Sequence, residues 1–537
     1  MAKKEPHVAY FCMEYGLDKE MRIYAGGLGI LAGDILKAAK ELGKTMTGIG
    51  ILWRQGYTKQ LIGDDGIPYD SYHNNDYIYD LLEDTGITVT VKIKDEDVIC
   101  RVWKVENYDN VPLYLLDTNH EDNSNKWITG QLYGWFGEER IAQELVLGVG
   151  GIKLLRKLGM DIDIYHFNEG HAVFAGIELI SEKIEEGLSF DEALAEVQKE
   201  IVFTTHTPVK EGNEKHSLDS IRYMGGFRGL TLEQMVRIGG APFNMTAAGL
   251  RLSKIANAVA ELHGETAREM WKEISDAAPI LAITNGVHHK TWVDQRISDA
   301  YKKDEKLWPI HQEIKGELLE YIKEKTDVEL DKEKLLIGFA RRAAPYKRSD
   351  LIFSDLDKIG PYLEEGDIQV VFSGKAHPLD DTGKEIVARL VKMTEKYPDS
   401  VVFLEDYNME IGQKLTRGVD VWLNNPRRPK EASGTSGMKA AMNGVLNMSI
   451  LDGWWPEACE DGVNGWQFGD GFQVEDVEKQ DEHDLEALYD VLFNKVLPTY
   501  YEQPVKWEEM MVASIETTYE RFSAKRMVQR YYKEIYA

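Results

Sequence analysis

The stretch Leu335-Leu336-Ile337-Gly338-Phe339-Ala340-Arg341-Arg342-Ala343-Ala344-Pro345-Tyr346-Lys347-Arg348 shows the pattern that indicates the fold class. Its first six residues are an apolar run that predicts a buried strand, and the next eight carry four cations, which predict a polar loop at the strand's carboxyl end. Similar apolar runs recur along the chain, each followed by a turn and an amphipathic stretch. Strands that alternate with helices predict an α/β chain with doubly wound parallel sheets, in which ligands bind beyond the carboxyl ends of the strands.

Two sets of apolar runs predict two Rossmann-like domains. The first set comprises His7–Cys12, Thr45–Trp53, Val111–Asp117, Ile164–Phe167, Ile201–Thr205 and Ile280–Thr284, and the second comprises Leu335–Ala340, Ile368–Ser373, Val401–Leu404 and Val419–Leu423. Helical patterns lie between them, as at Asp191–Glu200 and Gly316–Lys325, while alternation over Ile87–Lys104 predicts an inserted antiparallel hairpin. We predict an N-terminal domain at residues 1–293, a C-terminal domain at 294–501, and a helical segment at 502–537 that packs back on the first domain.

Composition and charge exclude several classes of function. The formal net charge of the 537 residues is −28, which repels nucleic acid and anionic membranes, so we expect neither as a partner. No run of about 18 apolar residues predicts a membrane span. The start, Met1-Ala2-Lys3-Lys4-Glu5-Pro6, has no apolar stretch that would indicate a secretory signal. The three cysteines, Cys12, Cys100 and Cys459, are too widely spaced for a disulfide scaffold or a zinc ribbon. We therefore expect a location in the reducing cytoplasm.

An anionic substrate of such an acidic protein needs a local basic pocket, and the loop Arg341–Arg348 offers one. Arginine binds phosphate in a bidentate manner and lysine acts as a point charge, although a solvated charged loop is the alternative. A second phosphate candidate is Gly26–Gly33, where glycines open a helix and expose backbone N–H groups. Read from Gly27 it satisfies a dinucleotide pattern. The preceding strand ends too early for that pattern, so NAD and FAD are disfavoured and a plain tight turn remains open.

The segment Asn424–Lys439 has the densest concentration of site-like residues. Prolines are followed by a loop rich in Gly, Ser and Thr that leads into a predicted helix at Lys439–Asn443. Retaining glycosyltransferases often show two glutamates eight residues apart here, whereas this chain has Glu431 and then Lys439. A lysine is poor for binding a nucleotide ribose but suits a Schiff base with an aldehyde cofactor. Generic residues of a helix start are the alternative.

Three further segments end strands in polar residues, namely His166–His171, Thr204–Pro208 and Thr284–His289. The histidine spacing is not that of a zinc protease, so we predict no metal. Hydrogen-bonding groups on the rim of a cleft suit a ligand with many hydroxyl groups, although each segment is also compatible with an ordinary turn. The Gly453-Trp454-Trp455 stretch fits sugar stacking and core packing equally well.

These segments, in this order, resemble the glycogen/starch (α-glucan) phosphorylase family in its short bacterial and archaeal form. The resemblance runs from about Val8 to the C-terminal helix and is most specific at Glu431–Lys439, followed by Asn443-Gly444. It implies the GT-B arrangement, in which two Rossmann-like domains face a central cleft and the C-terminal helix crosses back to the first. It also implies pyridoxal 5′-phosphate on Lys439 and no metal. A homodimer is the candidate assembly.

The activity implied by the resemblance is α-1,4-glucan phosphorolysis. Orthophosphate releases the glucosyl unit at the non-reducing end of glycogen, starch or maltodextrin as α-glucose 1-phosphate with retained configuration. The cofactor's 5′-phosphate exchanges a proton with orthophosphate.

The resemblance assigns site residues position by position. The expected catalytic residues are Lys439, Arg342, Lys347 and His206. The expected cofactor contacts are Lys439, Arg341, Thr435, Gly437, Gly27, Tyr407 and Trp292. The expected contacts to orthophosphate and the glucosyl unit are Gly26, Gly27, Arg342, Lys347, Tyr346, Asn285, His206, Glu431, Ser433 and Gly434. Asn168 and Glu169 match a pair of motif residues that the family has near these contacts.

The chain departs from the family's pattern in ways that bear on glucan length preference. Arg341 stands for a lysine, Ala344 and Pro345 for His-Glu, Asn408 for an arginine, and Ser436-Gly437 for Gly-Asn. No counterpart of the N-terminal phosphorylation segment of the large regulated enzymes precedes Val8, so we expect no such control. Two alternatives stay open: a nucleotide-sugar-dependent glucan synthase of the same architecture, disfavoured by Lys439, and a non-catalytic glucan-binding relative.

Overall fold

A computed structural model describes residues 5–209 and 212–537, which divide into two compact units. Unit 1 comprises the described residues of Met1–Thr58, Tyr72–Thr284 and Ala524–Ala537, and unit 2 comprises Lys59–Ser71 and Asn285–Ser523. The N-terminal residues 1–4, part of the stretch from which the sequence predicts no secretory signal, lie outside the described residues. Every helix in the described ranges is too short or too polar to cross a lipid bilayer.

Most strands of both units are short, and the longest are β5 and β6. In chain order they are β1 (Val8–Phe11), β2 (Met46–Ile51), β3 (Lys59–Ile62), β4 (Pro68–Ser71), β5 (Glu83–Ile93), β6 (Glu96–Val105), β7 (Leu113–Asp117), β8 (Ile164–Asn168), β9 (Ile201–Thr204), β10 (Lys215–His216), β11 (Phe243–Asn244), β12 (Ile255–Ala258), β13 (Ile280–Ala282), β14 (Leu335–Ala340), β15 (Ile368–Ser373), β16 (Val401–Leu404), β17 (Val421–Asn424), β18 (Leu446–Ile450) and β19 (Gly465–Phe468).

Helices connect most of these strands. They are α1 (Gly27–Glu41), α2 (Glu138–Leu145), α3 (Gly151–Lys157), α4 (Val173–Glu185), α5 (Phe190–Glu200), α6 (Leu218–Tyr223), α7 (Leu232–Gly239), α8 (Met245–Leu252), α9 (Glu261–Trp271), α10 (His289–Trp292), α11 (Gln295–Lys302), α12 (Trp308–Thr326), α13 (Leu356–Glu364), α14 (Asp381–Lys396), α15 (Met409–Gly418), α16 (Thr435–Met442), α17 (Trp455–Ala458), α18 (Val477–Val491), α19 (Leu497–Glu502), α20 (Pro504–Thr518) and α21 (Ala524–Arg530).

Each unit is built on a mainly parallel sheet. In the described part of unit 1 the strand order is β13-β12-β9-β8-β1-β2-β7-β6-β5, and β5, β6 and β7 pair in an antiparallel manner at one edge. In unit 2 the order is β16-β15-β14-β17-β18-β19, with parallel pairing throughout, and β3 and β4 form a separate hairpin. The central strands are buried on both faces, as continuous apolar runs require in parallel sheets.

The predicted mixed α/β class with parallel sheets is confirmed. The strands predicted at Leu335–Ala340, Ile368–Ser373 and Val401–Leu404 have these same bounds, and the hairpin predicted at Ile87–Lys104 is β5–β6. The strands β3, β4, β10, β11, β12, β18 and β19 were not predicted from the sequence. The predicted helix after Asn424 also begins too late, because α16 begins at Thr435 and so includes residues predicted to be a loop.

The chain passes between the two units at positions that differ from the predicted domain boundaries, 293/294 and 501/502. The transitions lie at Thr284/Asn285 and Ser523/Ala524, and the β3–β4 hairpin belongs to unit 2. Within unit 2, α20 packs against α16 and β18, where the Ser514 hydroxyl donates to the Ala441 carbonyl at 3.4 Å. The part of the C-terminal segment that lies in unit 1 is therefore Ala524–Ala537.

Within unit 1, that terminal segment contacts a buried histidine in the middle of the central strand β8. His166 Nδ1 lies 2.6 Å from the hydroxyl of Tyr536, and its Nε2 lies 2.6 Å from the hydroxyl of Thr204. Burial lowers the pKa of His166 to about 3, so its imidazole is neutral near neutral pH. The histidine is therefore a hydrogen-bonded core residue.

We predict that Y536F destabilises unit 1. Removing the hydroxyl leaves a buried imidazole nitrogen unpaired, which costs about 1–3 kcal/mol of unfolding free energy. Denaturant titration of Y536F beside Y223F, whose tyrosine is 58% exposed, measures the difference. Y223F is expected to stay within about 0.5 kcal/mol of wild type, and an equally small effect of Y536F would contradict the role of this hydrogen bond.

Candidate active site

Polar residues of unit 2 follow two neighbouring parallel strands at the same edge of the sheet. Arg341 comes directly after β14, and Asn424 is the last residue of β17, which pairs with β14. The Arg341 guanidinium donates to the side-chain oxygen of Asn424, and its backbone N–H donates to the Ser373 carbonyl at 3.1 Å. The strand ends therefore bring together residues that lie far apart in sequence, as parallel sheets do.

A buried carboxylate, that of Glu431, lies between two of the predicted cations. Glu431 accepts a hydrogen bond from Arg341 Nη2, and its Oε2 lies 3.1 Å from Lys347 Nζ. Burial alone would raise the pKa of this carboxyl, but the charges of Arg341 and Lys347 outweigh it and hold the pKa at about 2. Glu431 is therefore ionised near neutral pH and offsets one of the two positive charges.

Asp452, which was not predicted from the sequence, holds the backbone of Glu431. Asp452 Oδ2 accepts from the Glu431 N–H at 2.9 Å, and its Oδ1 accepts from the Gly453 N–H at 2.8 Å. Burial, together with the nearby charge of Glu431, raises the pKa of Asp452 to about 8. The available signal was an Asp-Gly pair shortly after an apolar run, which indicates a turn and not a partner for Glu431.

Arg348 joins the basic loop to the loop after β17. Its Nε and Nη2 atoms donate to the carbonyls of Asn425 and Pro426, each at 2.8 Å, and its Nη1 lies 2.8 Å from Asp484 Oδ2. The Tyr346 carbonyl accepts from the Arg427 N–H at 2.8 Å. One of the four cations of the predicted pocket therefore braces the loop instead of facing a ligand.

Lys439, predicted as the cofactor lysine, lies on α16 and is only 7% exposed. Its Nζ lies 3.4 Å from the centre of the Trp292 ring, a cation–π contact. Asn443 links the two, because its Nδ2 donates to the carbonyls of Lys439 at 2.8 Å and Trp292 at 3.1 Å. The predicted pair of Lys439 and Trp292 thus forms one buried cluster within unit 2.

The Ser-Gly-Thr-Ser-Gly stretch before Lys439 contains a glycine that the packing requires. A Cβ at Gly437 would lie 2.6 Å from Asn447 Oδ1 and 2.9 Å from Trp454 Nε1, so these two buried side chains would have to shift. Just before the helix, Ser433 is buried. Among the described residues, its hydroxyl and the Nε of Arg341 have no hydrogen-bond partner. Buried polar atoms of this kind need partners, and a ligand is one source of them.

The remaining predicted residues of unit 2 differ in burial and in local role. Burial raises the pKa of Tyr407 to about 12, which keeps its phenol protonated. Asn408, which departs from the arginine expected from the resemblance, caps α15. Its side-chain oxygen accepts a hydrogen bond from the Ile411 N–H at 3.1 Å. Arg342 is exposed on the basic loop, and Asn285 is buried. Gly434 and Thr435 precede and begin α16.

The predicted residues of unit 1 form their own cluster at the ends of β8 and β9. His206 Nε2 lies 2.6 Å from Asn168 Oδ1, and the His206 N–H donates to Glu169. Asn168 Nδ2 faces Cys12 Sγ at 3.3 Å, which fixes its carbonyl oxygen toward the histidine. Burial lowers the pKa of His206 to about 3, so its ring is neutral and donates through Nε2.

The glycine-rich turn of unit 1 is organised by a second carboxylate that the sequence analysis did not single out. Glu14 Oε2 accepts from the N–H groups of Ala25 at 2.6 Å and Gly26 at 3.1 Å, and burial raises its pKa. A Cβ built on Gly26 or Gly27 would meet nothing within 4 Å, so open space lies beside the start of α1. A buried carboxylate at the Gly26 N–H does not suit a dinucleotide phosphate there.

One group in unit 1 has the spacing of metal ligands. Within the described residues, Glu144, Glu214 and His216 place ligand atoms within 4.8 Å of one another. The guanidinium of Arg140 lies 3.0 Å from Glu214 and 3.5 Å from Glu144, and it already supplies positive charge to both carboxylates. The arrangement is a buried ion-pair network, and we assign no metal to it.

We predict that E431Q loses stability in a pH-dependent way. Because the folded-state pKa is lowered from 4.5 to about 2, Glu431 contributes about 3 kcal/mol above pH 4.5, and this is lost as the pH falls toward 2. The variant should therefore be less stable than wild type near neutral pH and approach it in acid. Urea titrations at several pH values measure this. E395Q, at an exposed glutamate, is the control, and a pH-independent difference for E431Q would contradict the charge assignment.

Comparison with known proteins gives a consistent family. The model of the family described as carbohydrate phosphorylase matches residues 295–494. A maltodextrin phosphorylase of Thermococcus litoralis is 40% identical over 100% of this chain and 71% of its own length. A glycogen phosphorylase of Aquifex aeolicus is 37% identical over 99% of this chain and 86% of its own. An uncharacterized protein of Methanocaldococcus jannaschii is 34% identical over 98% of this chain and 99% of its own.

The family match includes the basic loop and the Glu431–Lys439 motif, the residues on which the resemblance was based. The relatives extend the similarity over the whole chain, including the strand ends of unit 1. The resemblance predicted from the sequence is therefore confirmed. This chain belongs to the carbohydrate phosphorylase family.

Proposed function

We propose that this chain is an α-1,4-glucan phosphorylase that releases α-glucose 1-phosphate from the non-reducing end of a glucan with retained configuration. The observation that carries the proposal is the buried amine of Lys439, which lies over the ring of Trp292. Lys439 is on the helix that follows the Glu431 loop. The names of the relatives, maltodextrin phosphorylase and glycogen phosphorylase, support the substrate class.

We propose that pyridoxal 5′-phosphate is the cofactor and that Lys439 holds it. The residues of unit 2 fit this group: a buried amine, the flat Trp292 ring, and two buried polar atoms without partners among the described residues, Ser433 Oγ and Arg341 Nε. Arg341, Thr435, Gly437 and Tyr407 are the further contacts we assign to it, and Gly27 is the one from unit 1. When bound, the cofactor supplies a phosphate that moves a proton to and from orthophosphate.

The chain's own charges suit two phosphates held close together. Arg342 and Lys347 are assigned to orthophosphate, because charge-assisted hydrogen bonds from fixed cations stabilise charge that develops on the phosphate oxygens. Glu431 offsets the repulsion between Lys347 and Arg341, because it forms an ion pair with each of them. Its carboxylate is also an acceptor for sugar hydroxyl groups. Tyr346, Asn285, Ser433 and Gly434 are the other contacts that we assign to the glucosyl unit.

We propose the GT-B arrangement, in which the two units face a central cleft and the C-terminal helix crosses back to the first unit. The turn of Gly26 and Gly27 would then face orthophosphate through the Gly27 N–H, since the Gly26 N–H already donates to Glu14, and His206 would contact the glucosyl unit. Since His206 donates through Nε2 to Asn168, its Nδ1 is left as a hydrogen-bond acceptor for a sugar hydroxyl. The domain division at residues 293 and 501, the homodimer, the cytoplasmic location, and the absence of nucleic-acid and membrane partners stay predictions.

Nothing favours the nucleotide-sugar-dependent glucan synthase. Lys439 replaces the second carboxylate of the motif, and the named relatives are phosphorylases. The test is an assay with maltodextrin and orthophosphate that detects α-glucose 1-phosphate and its anomeric configuration by NMR. Product formed only with orthophosphate supports the proposal. Glucosyl transfer from ADP-glucose or UDP-glucose without orthophosphate would overturn it.

We predict that K439A loses cofactor and activity together while it stays folded. Borohydride reduction followed by peptide mapping should place the cofactor on Lys439 in wild type, and the variant should show no cofactor absorption. K396A, at an exposed lysine on α14, is the matched control and should retain both. An active K439A protein without cofactor would contradict the assignment.

We predict that R342Q raises the KM for orthophosphate about tenfold or more and leaves the KM for maltodextrin nearly unchanged. A hydrogen bond to a charged group contributes about 1.5–3 kcal/mol, which corresponds to this range. R342K should fall between wild type and R342Q, because it keeps the charge without the fork geometry. R389Q, at a half-exposed arginine of α14, controls for loss of one surface cation. Equal changes in both KM values would argue against orthophosphate binding by Arg342.

A further inference from the structure

The β3–β4 hairpin is an N-terminal segment built into the second unit. The chain belongs to unit 2 from Lys59 to Ser71 and to unit 1 on both sides of this range. Within unit 2, Ile62 packs against a small buried cluster of Ala343, Ala376 and Val387. Because Ala343 is part of the basic loop, the hairpin contacts the segment that carries Arg341 and Arg342.

The side chain of Gln60 attaches the hairpin as a peptide group would. It is only 3% exposed. Its Oε1 accepts from the Ala376 N–H at 2.8 Å, and its Nε2 donates to the Ala376 carbonyl at 3.2 Å and to Asp70 Oδ1 at 3.0 Å. A glutamine thus satisfies both backbone groups of a buried residue that follows β15.

The segment that Gln60 holds is itself the support of the basic loop. The Arg341 N–H donates to the Ser373 carbonyl at 3.1 Å, and the Ala343 N–H donates to the Lys375 carbonyl at 2.9 Å. Ala343 and Ala376 form a parallel bridge. A Cβ on Gly374 would collide with the Arg341 carbonyl, so the two segments are in direct contact. A displacement of Ala376 is therefore passed to Arg341–Ala343.

The backbone of Gln60 contacts a second segment of the candidate site. Its carbonyl accepts from the Asp406 N–H at 3.2 Å, directly before Tyr407. Lys375 Nζ lies 2.6 Å from Asp406 Oδ1 and joins the two segments that Gln60 touches. One residue of the hairpin thus supports the basic loop through its side chain and the Tyr407 segment through its backbone.

We infer that Gln60 is a positioning residue, which fixes the loop of Arg341 and Arg342 and the segment of Tyr407. The inference rests on the proposed function, which assigns these residues to phosphate and cofactor. Gln60 itself contacts neither ligand. It acts through Ala376 and Asp406, so its loss should affect orthophosphate use more than glucan binding.

The test is Q60M, which keeps the length and packing of the side chain and removes its hydrogen bonds. The expected result is a rise of about ten- to a hundredfold in the KM for orthophosphate, with the KM for maltodextrin within about twofold of wild type. Amide hydrogen exchange measured on the same protein should be faster in peptides that cover residues 341–347, 374–376 and 406–407. The exchange result does not depend on the enzyme's activity, so it decides the positioning role even where wild type shows no phosphorolysis.

The matched control is K384M, which removes another attachment of the same hairpin, the ion pair of Lys384 with Asp70 at 2.7 Å. K384M should show wild-type KM for orthophosphate and wild-type exchange at residues 341–347, even where its melting temperature is lowered. Wild-type exchange at residues 341–347 in Q60M would overturn the inference, as would faster exchange with an unchanged KM for orthophosphate. If Q60M does not fold, Q60E, which keeps an acceptor for the Ala376 N–H, is measured in the same two ways.

Discussion

Two cationic side chains at the end of a parallel sheet repel each other unless an anion lies between them, and in this chain Glu431 fills that place. Burial opposes its ionisation, yet Arg341 and Lys347 hold its pKa at about 2, so the attraction outweighs the desolvation. Asp452 also accepts a hydrogen bond from the Glu431 backbone N–H, so the main chain that carries the carboxylate is held in place as well. The positions of Arg341 and Lys347, of the loop after β17 and of the start of α16 all depend on this ion pair.

The opposite edge of the same sheet is fixed by another buried ion pair. Asp420, directly before β17, accepts from Lys315 Nζ at 2.6 Å and from the Leu336 N–H at 2.8 Å. It therefore aligns the amino ends of β14 and β17, whose carboxyl ends carry Arg341 and Asn424. A strand shifted by one residue would turn every side chain to the other face, so the alignment at one edge determines which groups meet at the other. Both ion pairs are buried, and together they connect the two strands at both ends.

The sequence predicted the parts of this structure that depend on local pattern. Continuous apolar runs gave the bounds of β14, β15 and β16, and the motif at Glu431–Lys439 gave the lysine of α16. The strand β12 was missed because Ile255–Ala258 contains two alanines and an asparagine and leads toward a helix, so neither period two nor an apolar run stands out. Asp452 and the β3–β4 hairpin were missed for another reason. Their roles depend on partners more than 20 and 300 residues away, which no local pattern encodes.

The sequence also predicted a pocket of four cations. In the structure these four cations have different roles. Arg348 is used to brace the loop, and the charge of Arg341 and Lys347 is partly offset by Glu431, which leaves the three with a net charge of one. Such a near-balanced group avoids the repulsion and desolvation of uncompensated buried cations, while the exposed Arg342 adds a further positive charge nearby. The formal charge of −28 does not prevent binding of a phosphate, because salt screens charges beyond about 8 Å and only the local excess is felt. Anion binding by this acidic chain therefore depends on short-range geometry, and hence on the segments that hold the basic loop in place.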